Sequence, residues 1–140
     1  MSAFVLDCSV AVAWCFADEA SPATDAVQDR LRSEGAVVPG IWNLELVNVL
    51  LQAERRGRIQ PADVERRLSL FGQLPIAVDT ETSVLAGSAI LALARAHGLT
   101  SYDAAYLELA VRRALPLATR DRSLIAAARK VGIPTLPDDR

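Results

Sequence analysis

Short apolar runs alternating with segments of helical length recur from one end of the chain to the other, and that alternation restricts its fold more than any other feature. The runs lie at residues 3–6, 37–38, 76–78, 117–119 and 133–136. Strands buried on both faces of a parallel sheet read as unbroken apolar runs of this kind, without a polar residue at every second position. Between them the spacing predicts helices over residues 10–16, 21–34, 41–56, 61–73, 83–97, 101–113 and 121–131. Ser9, Pro22, Pro61 and Thr80 supply start signals, and Gly35, Gly57 and Gly98 supply stops. The expected architecture is therefore a three-layer α/β/α domain around a short-stranded, mainly parallel central sheet. With 140 residues, 51% of them hydrophobic, residues 1–140 suffice for a single domain with one core.

Several function classes lose support at this stage. The apolar stretch at residues 10–17 is too short to span a bilayer and has no basic flank or small-residue cleavage site, so a soluble, cytoplasmic protein with no membrane partner is expected. Cys8 and Cys15 lie seven residues apart on one expected helix, roughly 10 Å between Cα atoms, which is beyond disulfide reach; both are read as buried thiols. Neither cysteine fits a zinc-ligand spacing, and the single histidine, His97, precedes a glycine at a helix end and is given no role. The net charge of −2 does not announce a nucleic-acid binder. Fourteen of the 15 basic residues are arginine, and Lys130 is the lone lysine.

Four acids stand out. Asp7 directly follows the first strand, where its carboxylate projects toward the cleft at the carboxyl ends of a parallel sheet, beside the Ser9 hydroxyl. A helix-capping Asp is the ordinary alternative there. Glu45 lies on a helix that is apolar nearly all round, in one narrow polar stripe with Asn48 and Gln52. A carboxylate retained on so apolar a helix needs a partner, a salt bridge or a solvent slot, because desolvating it is costly. Asp103 sits in Thr100-Ser101-Tyr102-Asp103, which also matches a capping box. Asp121 follows the strand at 117–119 in the first turn of a helix, a position that dipole stabilisation alone would explain. Glu108, further along the helix of Asp103, is expected at the surface.

Taken together the four mean more than they do singly. Carboxylates gathered at one end of a sheet repel one another unless a divalent cation offsets them. A hard oxygen set without His or Cys selects Mg²⁺ or Mn²⁺. Such a site activates water and clamps a phosphate during in-line displacement, which is nuclease chemistry.

At this point the chain resembles the PIN-domain nucleases, and among them the VapC-type toxins of bacterial toxin–antitoxin pairs. The likeness covers nearly the whole length. It rests on Phe4-Val5-Leu6-Asp7-Cys8-Ser9; on Pro39 through Trp42 with Glu45 and Asn48; on Ser101-Tyr102-Asp103-Ala104-Ala105-Tyr106-Leu107-Glu108-Leu109-Ala110; and on Leu117-Ala118-Thr119-Arg120-Asp121. The third segment is the most specific. The resemblance implies a PIN-like fold in which Asp7, Glu45, Asp103 and Asp121 are catalytic and metal-binding, with Ser9, Thr119 and Asn48 supporting them. It implies an endoribonuclease dependent on one or two Mg²⁺ or Mn²⁺ ions that leaves a 5′-phosphate and a 3′-hydroxyl. It also implies a homodimer and a cognate VapB-like antitoxin.

Some relatives carry a further acid after the position of Asp121, where this chain has Ser123-Leu124, so one firmly held ion with a second recruited by substrate is expected. Trp14, Trp42 and the apolar helix at 41–56 exceed what one small core needs, which suits a dimer face. Arg120 and Arg122 flank Asp121 and are candidates for RNA phosphate contacts.

Three other readings stay in view: a PIN nuclease of RNA processing that is not a toxin, a dehalogenase-like or receiver-like phosphotransfer domain, and a binding module that keeps the fold but performs no chemistry. The second requires a lysine beside its phosphorylated Asp, and Lys130 lies late in a helix.

Overall fold

In a computed structural model, which describes residues 2–137, five strands form one parallel sheet. They are β1 (Phe4–Leu6), β2 (Ala36–Pro39), β3 (Ile76–Asp79), β4 (Leu117–Ala118) and β5 (Thr135–Leu136), in the order β3-β2-β1-β4-β5. Every residue of β1, β2 and β4 is buried. These three apolar runs thus reflect strands covered on both faces, whereas the edge strands β3 and β5 are partly exposed despite their apolar runs, because each has a neighbour on one side only; the sheet is parallel throughout. The chain winds from β1 outward through β2 to β3, then crosses back to β4 and β5 on the other side. The switch point of the sheet falls between β1 and β4, the place where open α/β folds take their ligands.

The helices are α1 (Cys8–Ala13), α2 (Pro22–Glu34), α3 (Trp42–Arg55), α4 (Pro61–Gly72), α5 (Thr82–Leu85), α6 (Leu91–His97), α7 (Ser101–Arg113) and α8 (Arg122–Lys130). Helix α2 opens on a capping box in which Ser21 and Thr24 exchange bonds, with Pro22 at its first position. Helix α6 stops at Gly98, whose φ of 63° is the left-handed conformation that glycine adopts without strain. Helix α7 is the spine of the domain. Ala104 to Ala110 are all buried along it, and it packs on β1, β2 and β4.

Several sequence expectations are revised. The helix expected over 10–16 runs Cys8–Ala13, and Ser9 does not cap it, because its hydroxyl is drawn to the Asp7 carboxylate instead. The single helix expected over 83–97 is broken into α5, a π-helical turn at Ala86–Ile90, and α6. Thr80 is not its cap: Glu81 stands at the N-cap of α5 with no side-chain cap bond, and the Asp79 carboxylate accepts from the Glu81 N–H at 3.2 Å and the Thr82 hydroxyl at 3.3 Å just before the helix.

The two tryptophans are not left over for an interface. Trp42 is buried with its ring edge-on to Phe71, and Trp14 stacks on the same ring while its indole N–H donates to the Thr24 carbonyl at 2.8 Å. Both cysteines are free and buried, as expected. No single helix among the described residues is long and apolar enough to cross a membrane.

Candidate active site

The ends of β1 and β4 build one wall of the site. The Asp7 N–H donates to the Ala118 carbonyl at 2.9 Å, extending the β1–β4 ladder by one step and setting the Asp7 side chain at the switch point. That carboxylate is 5% exposed, yet two hydroxyls converge on its Oδ2: Ser9 and Thr119 each donate at 2.7 Å. Thr119 in turn accepts from the Asp121 N–H at 3.1 Å, and Ser9 accepts from the Arg120 N–H at 2.9 Å. Asp121 caps α8, its Oδ1 accepting from the Leu124 N–H at 2.9 Å. One connected hydrogen-bond system therefore fixes Asp7 and Asp121 together.

The opposite wall comes from helices. Glu45, half-buried in the first turn of α3, accepts a short hydrogen bond from the phenol of Tyr106 on α7. Asp103 sits in the first turn of α7, where Thr100 caps the helix by accepting from its backbone N–H at 3.1 Å. That cap occupies the Asp103 backbone, and its carboxylate stays half-exposed beside the other acids. Asn48 is exposed on α3, one turn beyond Glu45.

Electrostatics join the four acids. Burial pushes the Asp7 carboxyl above its ordinary value against the pull of its two hydroxyl donors, and the charge of Asp121 pushes the same way. Glu45 is raised by burial, opposed by the Tyr106 bond and reinforced by Asp7 and Asp103. Asp103 is raised by burial, then by Asp121 and Asp7. Asp7, Glu45 and Asp103, from three separate elements, thus hold carboxyls in a place that resists their charge, and the charge of Asp121 acts on two of them. Among the described residues no three acids close up into a metal-holding group.

The donor set fits a hard divalent cation in its chemistry. It offers carboxylate and hydroxyl oxygens with no thiolate or imidazole, and a buried, unneutralised Asp7 at its centre.

The flanking arginines differ. Arg120 has its guanidinium engaged, donating to the Ser9 carbonyl at 2.9 Å and pairing with Glu19 at 3.1 Å. Arg122 is exposed at the start of α8.

A second polar cluster went unread in the sequence. Asp79, at the end of the edge strand β3, is 3% exposed and held by Arg112 from both nitrogens, at 3.1 and 2.8 Å, and by Arg113 at 3.0 Å. Arg112 also binds Glu108 at 2.8 Å and Glu81 at 2.9 Å. Glu108 is therefore not a surface residue but buried, because Arg112 follows it by one helical turn. That Glu-to-Arg spacing of four was the available signal. The Asp79–Arg112 pairing, across 33 residues, had none.

The PIN-domain model matches residues 4–130, which spans all four acids. Among curated proteins no relative matches the chain. Solved structures share the fold. The protein PAE2754 from Pyrobaculum aerophilum is 24% identical with a TM-score of 0.70, covering 96% of this chain and 89% of its own. A chain of a toxin–antitoxin complex from Klebsiella pneumoniae is 16% identical with a TM-score of 0.64, covering 99% of each chain. A chain of VapBC2 from Rickettsia felis, bound to a DNA fragment from their promoter, is 13% identical with a TM-score of 0.66, covering 94% of this chain and 96% of its own. At these identities the likeness is one of fold. With the parallel sheet, the acids at its switch point and a family match over nearly the whole length, this chain belongs to the PIN-domain family.

Proposed function

We propose that this protein is a divalent-metal-dependent endoribonuclease, the toxin of a toxin–antitoxin pair, that cleaves RNA to a 5′-phosphate and a 3′-hydroxyl. The observation that carries the reading is that Asp7, Glu45 and Asp103 are all raised by burial and by neighbouring acids, Asp121 acting on Asp7 and Asp103, beside the hydrogen-bond system that ties Asp7 to Asp121. These four are proposed as the ligands of one Mg²⁺ or Mn²⁺ ion, with a second recruited by the substrate. Such a cation supplies Lewis acidity toward a phosphodiester and offsets the charge of the pocket.

The protein's own residues do the rest. Ser9 and Thr119 fix the rotamer of Asp7 through one oxygen, which spares the site the cost of ordering it during reaction. The cap at Leu124 holds Asp121 in the same way. Asn48, exposed beside Glu45, is assigned a supporting polar contact to substrate. The direct test is cleavage of a single-stranded RNA by purified protein with Mg²⁺ or Mn²⁺ and with a chelator, followed by end-group analysis. Equal cleavage in the chelator, or 3′-phosphate ends, would defeat the proposal.

Arg122 is the better candidate of the two arginines for an RNA phosphate, because Arg120 already has partners. Arg122→Ala is expected to raise KM for RNA about five-fold, leave kcat within about two-fold and reduce the salt slope of binding by about one. Unchanged salt dependence would remove Arg122 from the contact surface.

Partners follow the same reading. The VapBC and toxin–antitoxin neighbours support pairing with a VapB-like antitoxin, which this reading places in the cytoplasm, and a basic antitoxin side chain suits the acidic pocket. A homodimer is supported by exposed apolar side chains around a groove of about 580 Å³ between β3, α5 and the start of α7, lined in part by Ile41, Val78, Ile90 and Tyr102. Val84, 80% exposed on α5, belongs to the same region. Val84→Lys should cost the single chain little and is expected to convert a dimer to a monomer in native mass spectrometry; a monomeric parent protein would reject the dimer.

A further inference from the structure

We infer that Tyr106 is the positioning residue of the acidic site, the group that sets Glu45 on α3 in register with Asp103 on α7. The inference rests on the metal-site reading above and adds to it a residue outside the acidic set. Tyr106 is fully buried, and its phenol donates to Glu45 Oε1. A tyrosine is protonated at neutral pH, so the phenol acts here as a donor to the carboxylate. Among the described residues Glu45 Oε2 accepts no hydrogen bond, so one oxygen is committed and the other is left for a ligand.

The placement along the helix matters as much as the bond. Tyr106 follows Asp103 by three residues, so both lie on the same side of α7 one turn apart. A single rigid helix thus carries one acid and, one turn below, the donor that aims another. Glu45 has no comparable support on its own helix: α3 presents Leu44, 74% exposed, on one side of it and buried Leu46 on the other. The arrangement parallels Asp7, which also spends one oxygen on fixed hydroxyls. Outer contacts of this kind hold ligand groups in the geometry a cation demands.

The test is Mn²⁺ affinity, read from the electron paramagnetic resonance signal of free Mn²⁺, for wild type, Tyr106→Phe, Glu45→Gln and the double variant. Removing the hydroxyl alone keeps the ring in the core. Tyr106→Phe is expected to weaken Mn²⁺ binding about ten-fold, with circular dichroism unchanged, and to add nothing once Glu45 is Gln. Wild-type affinity in Tyr106→Phe, or a full further loss in the double variant, overturns the inference while leaving the metal site standing. No Mn²⁺ binding by wild type overturns the metal-site reading and this inference with it.

A second measurement does not depend on Tyr106→Phe folding. In protein labelled with fluorotyrosine, the Tyr106 resonance, told from Tyr102 by Tyr102→Phe, is expected to shift between wild type and Glu45→Gln. An unmoved signal counts equally against the contact.

Discussion

Asp7→Asn is expected to abolish RNA cleavage, by at least about a thousand-fold, while making the metal-free protein more stable. The two effects have one cause. Asp7 is a carboxylate at 5% exposure whose desolvation is only partly offset by the Ser9 and Thr119 hydroxyls, with the charge of Asp121 acting against it. An asparagine carbonyl accepts the same two bonds and carries no charge. The gain is expected to be about 1 kcal/mol, or roughly 3 °C in Tm for a domain of this size.

The pH dependence follows from the direction of the shift. Because the folded carboxyl titrates above its ordinary value of 3.8, wild type keeps its stability below that pH and loses it as pH rises through the folded value. The advantage of Asp7→Asn should therefore open above pH 3.8 and grow as pH rises through the folded value. Thermal melts of the two metal-free proteins between pH 3 and 7 measure it. A variant that is less stable at pH 7, or that still cleaves, would show that Asp7 serves the fold and not the reaction.

The second large effect lies away from the site. Arg112→Ala is expected to cost about 3 kcal/mol, close to 10 °C in Tm. It strands two carboxylates, Asp79 at 3% exposure and Glu108 at 4%, that Arg112 now joins. Arg113 and the Glu81 N–H still serve Asp79, which keeps the loss below that of a fully orphaned ion. Neutralising the stranded groups with Asp79→Asn and Glu108→Gln in the Arg112→Ala background should recover much of it, since an unpaired buried charge is costlier than an absent pair.

Acid should reproduce part of the same loss. Arg112 and Arg113 hold the Asp79 carboxyl down to about 2, so its contribution is present above 3.8 and disappears as pH falls toward 2. An unfolding free energy that changes by less than about 0.5 kcal/mol in Arg112→Ala would mean the cluster is ornamental.

The parts of this molecule that were legible in its sequence are those written locally. Val5 and Leu6, or Val37 and Val38, announce buried strands by composition alone, and an acid directly after such a strand has few places to point. Glu45 was legible by a different route, as a polar stripe on an apolar helix. What stayed hidden depends on distance along the chain. Nothing near Asp79 names Arg112, nothing near Tyr106 names Glu45, and the engagement of Arg120 by Glu19 crosses 101 residues. The short reach of α1 was concealed for a related reason. Its residues suit a longer helix, but the Trp14 indole is anchored to the Thr24 carbonyl of the next one. The π turn at Ala86–Ile90 left no mark in an otherwise regular helical pattern.

The brevity of β1 has a consequence for how the chain tolerates change. Two residues and one further ladder bond separate Phe4 from the Asp7 carboxylate, and successive side chains of a strand face opposite ways. Inserting or deleting a single residue between Phe4 and Leu6 would turn Asp7 to the far side of the sheet and bring a neighbour into its place. The strand can accept other apolar side chains, but its residue count is as rigid a requirement as the acid it delivers.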